Sequence, residues 1–269
     1  GCDVPVALST TIAEPVEGGW LLRGRKHFGS LGPVWDQLGV HALDVSDPER
    51  PTIVHGFVRR GDAGVEVIER WDTIAMRASQ SYDTVLDGVF LPADRVGAVV
   101  PAGPNDSPVT GTFVIWALTL ISNVYLGLAE RAFELATASL RERTSIALGG
   151  RTLAHNPMLQ HQVASMWIEL DGVRTTLDGL ARDWVEGVDH GPMWRAKVFA
   201  AKERTARAVR FVLDTAADVS GGSSIRSEHE LSRLWRDSRA VAFHPATHAF
   251  AHEAIGKSVL GIEPSGPRW

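Results

Sequence analysis

Three of the ten histidines, His244, His248 and His252, recur at four-residue steps near the end of this 269-residue chain. Imidazoles at that spacing share one face of a helix, and they titrate close enough to neutrality to serve as a base, a hydrogen-bond donor or a metal ligand. The metal reading fails on geometry. Helix rise separates the outer pair by about 12 Å, the chain has no His-Glu-x-x-His pattern, and Pro245 disrupts the first turn. No metal is expected. His244 differs from the other two because a helix must stop at the His244-Pro245 step, and it is the candidate catalytic group. It closes the stretch Gly221 to Thr247, GGSSIRSEHELSRLWRDSRAVAFHPAT. That stretch opens on Gly221 and Gly222, where backbone can approach a ligand with no Cβ in the way. Between them run Glu228, Glu230, Arg233, Arg236, Asp237 and Arg239, able to cap a helix or grip an anion.

A second group lies earlier, at Lys26-His27-Phe28-Gly29-Ser30-Leu31-Gly32. It follows a strand-like run and offers an aromatic ring, a hydroxyl and two glycines, enough to hold a planar cofactor by stacking and hydrogen bonding. A simple turn between strands explains the same spacing. The irregular polar segment Trp71 to Ser81 is either a solvated connection or a ligand wall. Arg143 ends a long helical pattern, where a cation offsets the macrodipole without further purpose. His161-Gln162 reads equally as exposed helix surface.

The elements that position these residues fall into two kinds. Up to about residue 100, Trp20–Gly24, Gln37–Leu43, Thr52–Val58, Gly64–Ile68 and Thr84–Leu91 read as strands separated by Gly, Pro and Asp-Pro. That spacing predicts an antiparallel barrel or sandwich with no helix longer than two turns. Pro101 to Pro108 (PAGPNDSP) is a linker by composition. Beyond it, helical periodicity predicts Phe113–Arg143, a second helix from Pro157 to about Gly187, a third from Pro192 to Ser220, a fourth from Glu228 to Ala242 and a short fifth from Ala246 to Leu260. Glu130, Arg131, Glu134, Arg141 and Glu142 are assigned to the outer face of the first, and Lys202, Glu203, Arg207 and Arg210 to the solvated stripe of the third. Long helices with short connections form an up-down bundle. The domains are therefore residues 1–102, β-barrel, and 103–269, helical bundle: an α+β chain.

Composition narrows the function classes. A net charge of −5 and a pI near 6.1 argue against nucleic acid as the main partner. The single Cys2 leaves no intramolecular disulfide and fits a reducing, cytoplasmic location. The longest apolar stretch, Phe113 to Leu128, contains Ser122 and Asn123 and reads as short of a membrane span. The chain begins at Gly1, not Met, and reads as lacking an upstream part.

Taken in order, the motifs resemble the acyl-CoA dehydrogenase superfamily, covering its middle β-domain and C-terminal helical domain. Gly1-Cys2-Asp3 is similar to the G-S-D that opens the middle domain. Gly24-Arg25-Lys26-His27-Phe28-Gly29-Ser30 is similar to G-x-K-x-[WF]-x-[TS]. Trp71 to Ser81 and Asp87 to Pro92 resemble the G-x-R-x-S loop and the D-V-x-V-P strand. Gly127 to Ala132, Arg141-Glu142-Arg143, His161-Gln162, Ser220-Gly221-Gly222 and Arg236-Asp237 match the first bundle helix, the E-R, H-Q and F-G-G motifs, and the R-D that follows. The resemblance implies a flavin, FAD, or FMN for an oxygenase. Phe28 and Ser30 would contact its ring, Arg143 the pyrophosphate of a neighbouring subunit's flavin, and Gly221 and Gly222 its adenosine side, with Gln162 and Thr247 also binding the cofactor. It further implies a homotetramer or dimer of dimers, or a heteromeric partner chain, and an acyl-CoA, aromatic or polyketide-like substrate. The family's N-terminal helical domain is not represented.

One departure bears on mechanism. Where dehydrogenases carry a Glu in E-G-T, this chain reads His244-Pro245-Ala246-Thr247, and from Gly111 to Ala129 there is no Asp or Glu. Proton abstraction α to a thioester needs a base. The resemblance thus implies a dehydrogenase-like oxidoreductase of altered mechanism acting on a CH–CH group. Close beside it stands the superfamily branch that uses reduced flavin and O2, where histidine and serine donors stand where negative charge develops. A catalytically silent subunit of a heteromeric flavoenzyme is the third expectation.

Overall fold

The computed structural model describes residues 8–103, 105 and 107–262. The expected opening motif Gly1-Cys2-Asp3, and Pro104 and Asp106 of the linker, lie outside the described residues. The chain divides into two compact units, one through Val114 and one from Ile115 onward.

The first unit is a seven-stranded sheet: β1 (Ile12–Val16), β2 (Gly19–Gly29), β3 (Gln37–Asp44), β4 (Thr52–Arg59), β5 (Val65–Ile68), β6 (Tyr82–Pro92) and β7 (Val96–Pro101). All five expected strands are present, and β1 and β7 are additional. The sheet is not a closed antiparallel barrel. Its order, β5-β6-β2-β1-β3-β4-β7, ends on two free edges, and β1 pairs with β3 in parallel. The edge strands, of four and six residues, pair only inward, β5 with β6 and β7 with β4. Instead the sheet rolls until its two halves share one core, formed by Ala13, Leu22, Val40, Ala42, Val54, Val58, Leu86, Val89 and Leu91. Gly56 on β4 permits that roll. A Cβ there would stand 2.8 Å from Leu91 Cδ2 and 3.0 Å from the Arg95 carbonyl oxygen.

The second unit contains α1 (Pro108–Glu142, which starts before the division), α2 (Pro157–Val185), α3 (Met193–Ser220), α4 (Glu230–Ser238) and α5 (His248–Leu260). Pro157 occupies the first turn of α2, and the Asn156 side chain caps it by accepting from the Met158 N–H at 2.9 Å. Such a cap satisfies one of the open N–H groups of the first turn. On α1 the buried side chains Leu118, Ser122, Tyr125, Ala129, Ala132, Ala136 and Leu140 recur at three- and four-residue steps. By length and hydropathy α1 also passes as a membrane span, which differs from the reading of its apolar stretch. Core helices of bundles pass the same test, and one face of α1 is core. α3 is the central helix, packed against α2, α4 and α5.

One expectation about a charged face is corrected and another holds. Lys202 and Glu203 are buried, at 3% and 9% exposure, and the outer stripe of α3 runs instead through Arg204, Arg207, Arg210 and Asp214. The cause is α5, which covers the face holding Lys202; the Lys202 ammonium donates to the Ala246 carbonyl at 2.7 Å. On α1, Arg131, Glu134, Arg141 and Glu142 are exposed and Glu130 half-buried, as expected for the outer face, and Glu130 and Arg131 also reach neighbouring helices. Arg174 of α2 binds Glu130, and Arg131 grips Glu230 of α4 with two bonds of 3.0 Å.

Candidate functional site

In the sheet unit, chemistry-bearing residues gather on two loops that follow β2 and precede β6. The ladder between those strands steps from Lys26–Thr84 to Gly29–Tyr82, so β2 carries one residue more than its partner. Such a bulge re-aims a side chain, and here it holds Phe28 at φ 61°. Phe28 is more than half exposed, with Trp71 meeting its edge at 6.1 Å between centroids. The loops are stitched by backbone bonds from Leu31 N–H to Ser79 O and from Gly32 N–H to Gln80 O, both 2.9 Å. Hydroxyls form a row: Ser30 Oγ lies 2.9 Å from Ser81 Oγ, which lies 2.8 Å from Ser79 Oγ.

Every non-glycine residue with positive φ among the described residues sits here: Phe28, Leu31, Met76 and Gln80. Left-handed backbone costs about 1–2 kcal/mol per residue for a side chain with a Cβ, and such strain concentrates at ligand sites. This clustering was not read from the sequence. Residue types pointed to both loops as places to hold a ligand, but nothing in them announces a left-handed Phe or Leu.

In the helical unit, His244 lies in the turn between the end of α4 and α5, half-buried. Its ring meets Tyr125 of α1 edge-on at 5.5 Å. Burial, and then the nearby Lys202 ammonium, hold its pKa below the ordinary histidine value, so the ring is neutral at pH 7. Burial likewise lowers the Lys202 pKa. The Tyr125 hydroxyl is buried without a hydrogen-bond partner among the described residues, and burial followed by Asp237 raises its pKa. A neutral imidazole between an unpartnered phenol and an ammonium can take or give a proton. Tyr125 and Lys202 were missed because each looks like ordinary helix sequence; only the packing of α1, α3 and the turn reveals them.

The remaining expected residues separate into two groups. Arg143 and Gly221 meet: an Arg143 Nη1–H donates to the Ser220 carbonyl at 2.6 Å, and a Cβ on Gly221 would stand 3.4 Å from Arg143 Nη2. Gly221 takes φ 72°, a conformation that favours glycine. Gly222 opens the single helical turn Gly222–Ile225. Gln162 is half-buried on α2. Thr247 is the N-cap residue of α5 with no side-chain cap bond. Among the described residues, His244 is not in the one group that could ligate a metal. That group is Glu203, His248 and His252.

The charged run after Gly222 is largely consumed by internal pairs. Arg233 binds Asp237 at 3.3 Å and Arg239 binds Asp214 at 3.0 Å, so those guanidiniums serve packing.

Comparisons with known proteins agree with this layout. Residues 118–260 match the model of the acyl-CoA dehydrogenase C-terminal domain, more than half of the chain. A putative acyl-CoA dehydrogenase of Bacillus subtilis, YdbM, is 29% identical over 250 residues, covering 91% of this chain and 63% of that protein. L-evernosamine nitrososynthase from a Micromonospora species is 28% identical over 255 residues, covering 91% and 58%. The structure of KijD3 in complex with FMN and an amino-keto dTDP-sugar superposes with a TM-score of 0.83 at 26% identity, covering 94% of this chain and 62% of that one. The chain spans about three fifths of the length of the curated relatives it matches. On the matched domain, the fold and the order of motifs, the chain belongs to the acyl-CoA dehydrogenase family.

Proposed function

We propose that the protein forms part of a flavin-dependent monooxygenase that uses reduced flavin and O2 to oxygenate a small nitrogen-bearing substrate. The observation that carries this reading is a replacement. Where α-proton abstraction would need a carboxylate, Gly111 to Ala129 of α1 has none, and the turn before α5 offers a half-buried neutral His244. Oxygenation needs no α-base, and it benefits from a neutral donor where negative charge develops on oxygen. Relatives support the substrate class: nitrososynthases and an isobutylamine N-hydroxylase, the latter 26% identical over 235 residues.

The residues fit a flavin. An exposed Phe28 ring offers a stacking face, and the hydroxyl row Ser30–Ser81–Ser79 supplies donors beside it. Bound flavin would supply the electrons and the site of oxygen activation. Phe28 would fix the plane of the ring and Ser30 would hydrogen-bond its polar edge. His244, with its proton held at low affinity, would hold or return a proton at an imidazole nitrogen. FMN and FAD both remain compatible with these contacts. An assembly of several copies belongs to the same reading, supported by the exposed stripe of Phe113, Trp116, Leu120 and Val124 on α1.

A second reading is favoured by YdbM and by isovaleryl-CoA dehydrogenases at 23–24% identity: oxidation of an acyl-CoA with His244 as an unusual base. One experiment separates the two. The full-length protein, loaded with flavin and reduced anaerobically, is mixed with O2 and a panel of primary amines and amino sugars. Hydroxylated product formed in step with oxygen uptake is expected. Bleaching of oxidised flavin by acyl-CoA esters under anaerobic conditions, with no amine oxygenation, overturns the oxygenase reading.

A further inference from the structure

We propose that Glu203, His248 and His252 form a zinc-type cation site that clamps α5 onto α3. His248 and His252 stand one turn apart on α5, with ring centroids 4.1 Å apart. Glu203 rises from α3 beneath them, its side chain only 11% exposed. Glu203 Oε1 lies 2.8 Å from His248 Nδ1 and 3.5 Å from His252 Nε2, and all three ligand atoms fall within 4.8 Å of one another. Donors around one tetrahedral Zn2+, at bonds of about 2.0–2.1 Å, sit about 3.3 Å apart. The two carboxylate–imidazole distances bracket that value and the two imidazole nitrogens lie within 4.8 Å of each other, so ligation needs rotation of two exposed rings. Two imidazoles and one carboxylate suit Zn2+ and exclude Ca2+ and Mg2+, which take oxygen ligands.

The expectation of no metal rested on His244, His248 and His252 sharing one helix. The structure replaces His244 with a carboxylate from another helix, and the distance objection falls. Glu203 and His252 line a cleft of about 690 Å3 together with Thr175, Asp183, Lys197 and Arg207, which gives an ion its entry and room for water.

Arg207 is the competitor. Its Nε–H donates to Glu203 Oε1 at 2.8 Å, and its Nη2 lies 3.2 Å from His252 Nε2. Its side chain is 64% exposed, and exposed ion pairs hold weakly, so the guanidinium swings away when a divalent ion takes its place. Bound there, the ion fixes the start of α5, directly after the turn that carries His244 and Thr247.

The test uses tag-free, chelator-treated protein titrated with ZnCl2 by calorimetry and with CoCl2 by visible absorbance. Expected are one ion per chain in the micromolar range and a tetrahedral cobalt spectrum. His248→Ala and His252→Ala each weaken binding about ten-fold or more, and both replace exposed side chains, so the fold persists. Arg207→Gln tightens binding by up to about five-fold, the worth of an exposed ion pair. Absence of saturable Zn2+ uptake, or uptake unchanged in the His248→Ala/His252→Ala double variant, overturns the proposal. Arg207→Gln binding no better than the parent chain overturns its role as competitor.

Discussion

At the scale of single residues, two groups carry separate and opposed demands. Phe28 pairs a strained backbone, φ 61°, with a ring left exposed. If the strain is kept for the sake of the ring, the two can be separated. Phe28→Ala should weaken flavin binding about ten-fold, the upper range of an aromatic contact. Phe28→Gly should bind as weakly yet melt above Phe28→Ala, because glycine accepts left-handed backbone without strain. Equal flavin affinity in all three chains would remove Phe28 from the site. His244 makes a different demand. Its pKa is lowered by burial and then by Lys202, so it stays neutral at pH 7 and the acid limb of turnover should lie below the ordinary histidine range. His244→Ala should cut turnover roughly ten-fold or more. Lys202→Met, which removes the neighbouring charge, should move the acid limb toward higher pH without abolishing activity. A limb that stays put would show that another group titrates there. His244 was legible in the sequence because proline marks a helix break. Its neighbours Tyr125 and Lys202 were not, since sequence gives the period of a helix but not which neighbour covers each face.

At the scale of elements, the same limit explains what could be read. Strands β2, β3, β4 and β6 alternate or cluster β-branched residues and were legible. β1 was not, because Ile12–Val16 contains Pro15 and buries only Ala13; β7 is short and carries Gly97. Barrel closure was beyond local pattern, since it depends on whether the last edge meets the first. The roll that replaces closure rests on Gly56, where β4 passes Leu91 of β6 at the distance of a missing side chain. Gly56→Val should therefore destabilise the sheet unit by about 1–3 kcal/mol, the usual range for overpacking. Chemical denaturation followed by Trp fluorescence measures it, and a change within error would mean the sheet can part there. In the helical unit the boundaries of α2 and α3 were close to those read, because proline and glycine punctuate them. The phase of α3 was misjudged at Lys202 and Glu203: charged residue type suggested solvent, and α5 decided otherwise.

At the scale of the whole molecule, buried bases give the chain a one-sided response to pH. In the sheet unit His41 stacks on His55 at 6.1 Å, and the Lys26 ammonium donates to the His41 carbonyl. Burial, then Lys26 and His55, push His41 down to about 3, and burial brings Lys26 to about 8. In the helical unit His244 and Lys202 are lowered in the same direction. A base whose pKa is lower folded than unfolded binds fewer protons when folded, so stability rises with pH between the two values. For His41 that window runs from about 3 to the ordinary value of 6.5, and its stabilisation is lost as pH falls through it. Asp62 and Asp83, held low despite burial by hydrogen bonds and ion pairs with Arg95, Arg25 and His27, lose stabilisation in the same direction at still lower pH. For Lys26 the window opens at about 8. The protein should therefore melt progressively earlier as pH falls from 6.5, and later as pH rises above 8, opposite to a chain whose lysines are ion-paired. The Lys26 share is isolated by comparison with Lys26→Met. Thermal melts between pH 8 and 9.5 should rise more steeply in the parent chain than in the variant, which keeps only the Lys202 share. Parallel curves would mean that Lys26 remains protonated inside the fold, held by Ser9 and the His41 carbonyl, and that burial does not set its charge.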